Sequence, residues 1–197
     1  CMVGGLWATC LDRPLTEGEE ARLLEFLPPE RRQRLLRLPR REQRREPLCA
    51  YRLLTLALER ECGWSTLPPM AHTPLGKPYF PDFPKVAFSI SHTEGAVLVG
   101  VSGQAIGVDI ERLRPVAPAL LDRFGAGTAE AFFQSWVRRE ARAKRTGTPV
   151  ELGEESGLAP GEQLWYPEAV SGCAACVSFT EQLCRQVRLV PVEALLA

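Results

Sequence analysis

The sequence predicts a mixed α/β fold. Two long stretches carry helical periodicity, three short alternating segments lie between them, and proline or glycine stands at nearly every junction. Gly5–Cys10 reads as a strand and Asp12-Arg13-Pro14 as its turn. Thr16 with Glu19 forms a capping box ahead of Ala21, Leu23 and Leu24, hence a helix that Pro28-Pro29 ends. A second short helix follows through Leu35, Leu36 and Leu38. Pro47 suits the first turn of a longer helix, where its missing N–H is not needed, and Gly63 closes that helix. Leu67 to Pro84 is a proline-rich connector. Val86–Ser91, Ala96–Val101 and Ile106–Glu111 are β segments, the last two joined by the tight turn Ser102-Gly103-Gln104. After a short helix over Leu120 to Phe124, a long one runs from near Thr128 to Arg145, where Gly147 and Pro149 stop it. Glu151–Gly161 is an acidic, glycine-rich surface loop. Ala174–Phe179 and Cys184–Val190 are expected to close the fold as an antiparallel pair.

Composition narrows the function classes. The 197 residues suit one moderate domain or two small halves sharing a core, and 45% hydrophobic content is ordinary for a globular chain. Lysine plus arginine balance aspartate plus glutamate at 24 each, so no global charge draws the chain to nucleic acid or membrane. No apolar run approaches the length of a membrane span. Residues 1–5 lack a charged region followed by an apolar core, so no export signal is expected, and Cys1 ahead of Met2 is a candidate cloning remnant. The seven cysteines are irregularly spaced and read as reduced thiols of a cytoplasmic protein. Cys173 and Cys176 have the spacing of half a zinc site. A structural zinc needs four ligands, and strand alternation explains the pair better.

Two stretches carry the chemistry. In Gly107-Val108-Asp109-Ile110-Glu111 a strand puts both carboxylates on one face and the aliphatics on the other. In the long helix Trp136, Glu140 and Lys144 are four apart and share a face with Phe132, Phe133, Val137 and Ala141. A Glu–Lys pair at this spacing is most often a solvated pair worth about 0.2–0.5 kcal/mol. Beside a buried stripe, however, charge needs a partner, a metal or a ligand. Three carboxylates with room for one hard cation, beside a lysine, point to phosphate chemistry.

With Asp12-Arg13-Pro14-Leu15, Gly76-Lys77-Pro78, Phe88-Ser89-Ile90-Ser91-His92, Gly107-Val108-Asp109-Ile110-Glu111 and the Trp136…Glu140…Lys144 helix in this order, the chain resembles the surfactin-type 4'-phosphopantetheinyl transferases over nearly its full length. The resemblance implies two pseudo-symmetric α/β halves, each a small, mostly antiparallel sheet packed against helices. Residues 1–104 form the half on the coenzyme A side, and residues 105–197 form the half with the metal and the catalytic helix. It implies magnesium-dependent transfer of the 4'-phosphopantetheine arm of coenzyme A to a serine of an apo acyl-carrier or peptidyl-carrier protein. Adenosine 3',5'-bisphosphate leaves. The enzyme is expected to be a cytoplasmic monomer that binds neither nucleic acid nor membrane.

The family's metal ligands fall on Asp109, Glu111 and Glu140. Coenzyme A contacts fall on Lys77, Pro78, Ser91, His92 and Lys144, with Arg31, Arg34 and Arg45 as the basic rim. Glu140, Lys144 and His92 are the catalytic set: Glu140 as base for the serine, Lys144 at the departing bisphosphate, His92 on a phosphate oxygen. The chain departs from the family pattern at Arg139, which replaces a lysine, and at Glu46-Pro47, which replaces an Arg-Ser/Thr pair. The stretch from Leu121 to Phe133, where the family docks its carrier, is short. The rival reading from another class is an inactive relative that binds coenzyme A or a carrier without turnover. An RNA-binding module built on the arginines between Arg31 and Arg45 is disfavoured by zero net charge and by the lack of interleaved aromatics.

Overall fold

The computed structural model describes residues 3–197; Met2 and Cys1, the candidate remnant, lie outside the described residues. Strand β1 (Gly4–Cys10) is followed by helices α1 (Glu17–Glu25) and α2 (Pro29–Leu36), a 3-10 turn at Arg41–Arg44, and the long α3 (Arg45–Cys62). A two-stranded ribbon, β2 (Ala71–His72) and β3 (Pro78–Tyr79), lies within the connector that the sequence left without structure. Then come β4 (Ala87–Thr93), β5 (Ala96–Ser102), β6 (Gly107–Arg112), α4 (Pro118–Arg123) and α5 (Ala129–Thr146). β7 (Gln163–Trp165), β8 (Cys173–Phe179), β9 (Leu183–Leu189) and α6 (Val192–Leu195) complete the chain. Among the described residues no helix is long and apolar enough to cross a membrane.

The helix ends follow the expected chemistry. The Thr16 hydroxyl accepts from the Glu19 N–H at 3.1 Å while the Glu19 carboxylate accepts from the Thr16 N–H at 2.9 Å. Thr128 caps α5 through the Ala131 N–H, and Gly147, at φ 71°, ends α5 in a left-handed turn that glycine adopts without strain.

Period-two alternation builds the layers. In the sheet ordered β4-β5-β1-β9, Trp7, Val97, Val99 and Val101 pack against α3 through the fully buried Leu48, Leu53, Leu54 and Leu58. Burying each such leucine is worth about 1.5–3 kcal/mol. From the opposite face Leu6, Ala8, Ala96 and Leu98 meet Ile106, Val108, Ile110 and Val177 of the second sheet, ordered β6-β8-β7. The far side of that sheet holds Cys176 against Val137 and Ala141 of α5. The stack is therefore helix, sheet, sheet, helix. At Gly107 a Cβ would collide with the Ala141 carbonyl and the Arg145 amide, so the strand's closest approach to α5 requires glycine.

The expected closing pair does not form. β8 has both edges taken, by β6 and by β7, so β9 runs back to the first sheet and pairs parallel with β1. Leu183 and Val187 pack there against the inter-sheet core, and Val192 and Leu195 join the core under α3. Residues 183–197, expected in the second half, thus complete the first sheet.

The loop after α5 is tied down. Glu162 is fully buried and receives Arg142 through two hydrogen bonds (3.0 and 3.1 Å), the Ser178 hydroxyl (2.7 Å) and the Ala159 N–H (3.0 Å). Burial alone would raise its pKa, but these donors outweigh burial and hold it at about 2 against an ordinary 4.5. A depressed carboxyl stabilises the fold fully above its unfolded pKa and loses that contribution as pH falls from about 4.5 toward 2. Acid titration should therefore cost on the order of 2–3 kcal/mol from this group alone. Glu162→Gln should be less stable at pH 7 and should flatten this acid limb, measured by urea denaturation at pH 7, 4 and 3. An acid limb of unchanged slope in the variant would remove Glu162 from that role.

Candidate functional site

The connector ribbon, α2, α3, β4 and α5 surround a cleft of about 830 Å³. Its lining includes Arg31, Arg34, Lys77, Pro78, His92, Glu140 and Lys144, seven of the residues singled out by the sequence. The Arg31 guanidinium lies 4.8 Å from the Tyr51 ring centroid and 3.1 Å from His72 Nε2. A guanidinium only donates, so His72 Nε2 is the acceptor of that contact. Tyr51 and His72 both line the cleft, and neither was found by motif. Arg34 is exposed and has no side-chain partner among the described residues.

Lys77 is set by a tight hairpin. The Lys77 N–H donates to the Thr73 hydroxyl at 3.0 Å, and Lys77 Nζ caps the C-terminal turn of α5 through the Arg145 carbonyl. Burial, reinforced by the nearby Arg145 charge, lowers its pKa to about 8. His92 stands open to the cleft mouth but is walled by protein. That desolvation, followed by the Lys144 charge, pushes its pKa below the ordinary 6.5, so at neutral pH it is an uncharged donor and acceptor.

Asp109 is buried. Its Oδ1 accepts from Lys144 Nζ at 2.8 Å and from the Ser91 hydroxyl at 3.0 Å, while Oδ2 is buried with no hydrogen-bond partner. Lys144 thus pairs across to Asp109 and not along the helix with Glu140. Glu111 meets Arg114 at 3.3 Å. Glu140 has no ion-pair partner among the described residues. All three carboxyl pKa values are raised, first by burial, and for Glu111 and Glu140 next by the Asp109 charge. The trio is therefore electrostatically coupled. Among the described residues no three or more His, Cys, Asp or Glu side chains are already drawn together as a metal cage. A hard dication fits this donor set: it takes carboxylate oxygens, relieves the like-charge repulsion and gives Asp109 Oδ2 a partner.

Arg45 and Ser91, two expected coenzyme A contacts, are not among the residues that line this cleft. Arg45 lines a neighbouring cavity of about 790 Å³, and its guanidinium is spent on Glu46 (2.7 and 2.9 Å) and on the Arg13 carbonyl (2.9 Å). Glu46, the departure from the family pattern, is what holds Arg45 there. Ser91 is buried, with its single O–H committed to Asp109 and its oxygen accepting the Ile110 N–H at 3.0 Å. Arg139, in place of lysine, donates to the Glu151 and Gly153 carbonyls and so fastens the following loop.

A cleft lined by Arg31, Arg34, Lys77 and Lys144, with Glu140 on its wall and Asp109 bonded to Lys144, suits a ligand that carries phosphate groups. No protein-family model matches the chain. It is 27% identical over 165 residues to the 4'-phosphopantetheinyl transferase Sfp of Bacillus subtilis (strain 168), covering 77% of this chain and 74% of that protein. The 4'-phosphopantetheinyl transferase ffp of Bacillus subtilis is 25% identical with the same coverage. The 4'-phosphopantetheinyl transferase psf-1 of Bacillus pumilus is 32% identical over a shorter stretch, 43% of this chain and 42% of that protein. Over 77% of its length the chain is thus similar to 4'-phosphopantetheinyl transferases, and that similarity supports a transferase of this type.

Proposed function

We propose that the chain transfers the 4'-phosphopantetheine arm of coenzyme A to a serine of an apo acyl-carrier or peptidyl-carrier protein with magnesium, acting as a cytoplasmic monomer. The observation that carries this reading is the continuity of the cleft. Arg31 and Arg34 lie at one part of the lining and Lys144 and Glu140 at another, with the orphaned Oδ2 of Asp109 beside Lys144.

Asp109, Glu111 and Glu140 would hold magnesium, which when bound neutralises pyrophosphate charge. Arg31 and Arg34 bind the 3'-phosphate. Lys77, with Pro78 shaping its hairpin, meets the pyrophosphate side as a cation, and neutral His92 donates to a phosphate oxygen. Glu140, raised by burial and by Asp109, takes the proton from the carrier serine. The serine oxygen then bonds to the phosphorus that carries the pantetheine arm. The bond from that phosphorus to the bisphosphate oxygen breaks, and Lys144 stabilises the charge left on that oxygen. Adenosine 3',5'-bisphosphate departs.

The nucleotide half of this reading is tested by Arg34→Ala. Losing a charge-assisted contact costs about 1.5–3 kcal/mol, so coenzyme A should bind about 10- to 100-fold more weakly while dephospho-coenzyme A changes little. Calorimetric titration of both ligands measures the difference. Equal weakening of the two would remove Arg34 from the 3'-phosphate, and no binding of coenzyme A by the unaltered protein would remove the reading.

A further inference from the structure

Along one side of the stacked sheets the edge strands β4 and β6 run together without a backbone ladder. In its place, hydroxyls at alternate residues of β4 accept N–H groups at alternate residues of β6: Ser89 from Val108 at 3.0 Å, Ser91 from Ile110 at 3.0 Å, and Thr93 from Arg112 at 3.1 Å. Three bonds of one kind hold the seam. Only the central hydroxyl does more, because Ser91 also donates to Asp109 Oδ1 at 3.0 Å.

An aspartate's terminal torsion is broad, so its carboxylate plane must be fixed by its partners. Here Ser91 and Lys144 both engage Oδ1, and Oδ2 is left buried with no partner. Of the two, Ser91 is the one fixed to the backbone frame, since its oxygen is pinned by the Ile110 N–H; Lys144 is a long, part-exposed side chain. We infer that Ser91 is a positioning residue, which sets the Asp109 carboxylate so that Oδ2 is presented to the cation, and is not a contact to the nucleotide. The inference rests on the magnesium reading of the carboxylate trio. Groups that orient a metal ligand typically change metal affinity about 10–100-fold when lost.

The seam supplies its own control. Thr93→Val removes a bond of the same kind but touches neither Asp109 nor the carboxylate trio. Calorimetry with magnesium at saturating coenzyme A should find Ser91→Ala weakened about 10- to 100-fold, with Thr93→Val within about threefold of the parent protein. Both variants should lose thermal stability. Ser91→Thr, which keeps the hydroxyl, should restore magnesium affinity. Ser91→Cys, near in size but a weak donor, should behave as Ser91→Ala and replaces it if the alanine variant does not fold. Coenzyme A affinity at saturating magnesium should stay within about threefold in Ser91→Ala.

Unchanged magnesium affinity in Ser91→Ala, or an equal fall in Thr93→Val, would overturn the assignment in favour of a purely structural seam. A large loss of coenzyme A affinity at saturating magnesium would return Ser91 to the nucleotide site. Failure of the parent protein to bind magnesium would overturn the metal reading itself, a result distinguishable from the others because it needs no variant.

Discussion

Glu140→Gln lowers turnover by about 10²–10⁴-fold, the usual worth of a general base, and leaves coenzyme A affinity within about tenfold. The side chain sits on α5 one turn from Lys144, half-buried, with its pKa raised by burial and then by Asp109. A carboxyl raised in this direction is better matched to accept a serine proton than an ordinary surface glutamate. Glutamine keeps the shape and one coordinating oxygen but has no basicity. The contacts assigned to coenzyme A come mainly from Arg31, Arg34, Lys77 and His92, all on elements other than α5, so binding should survive. Calorimetry with coenzyme A and single-turnover assays on saturating apo carrier separate the two quantities. Near-normal turnover would leave Glu140 an ordinary helix residue.

Asp109→Asn is the second large effect. The amide preserves volume and can still accept from Ser91, but it removes the charge that a hard cation and Lys144 both need. Magnesium-dependent turnover should fall by at least about 100-fold. Stability should change little, because burial disfavours the charge that is lost and the part-exposed Lys144 ammonium can turn to solvent. A melting shift within about 4 °C corresponds to roughly 1 kcal/mol in a chain of this length. Asp109→Ala is a different experiment: it strands the Ser91 hydroxyl and the Lys144 cation, and a buried donor left unsatisfied costs about 1–3 kcal/mol. Thermal melts and magnesium titrations on both variants check this. An asparagine variant with full activity would mean that the cation is held elsewhere.

The parts of the fold legible in the sequence are those where a local period decides the outcome. β6 reads correctly because Ile106, Val108 and Ile110 alternate with Gly107, Asp109 and Glu111. α5 reads correctly because Phe133, Val137 and Ala141 recur at helical spacing between a threonine cap and a glycine stop. The neighbour of β9 is not legible because its own pattern is weak, with few buried positions, and the choice between β8 and β1 is made by which edge remains open. The site divides the same way. The carboxylates and Lys144 stand in two compact motifs. Arg45 lies in the same arginine run as Arg31 and Arg34, yet the turn into α3 and the ion pair with Glu46 aim it into a different cavity. His72 and Tyr51 come from separate elements and meet only in the folded cleft. The seam had a signal that went unread: hydroxyls at Ser89, Ser91 and Thr93 share one strand face, an unusual choice for a strand packed into an interior.

The central claim is group transfer to a carrier serine. Its most direct measurement is the intact mass of apo acyl-carrier and peptidyl-carrier proteins after incubation with this chain, coenzyme A and magnesium. The carriers should gain one phosphopantetheine each, at the serine, and only when magnesium is present. Carriers left at their apo mass, while a known transferase converts the same preparations, would contradict the account and leave a protein that binds coenzyme A without turning it over.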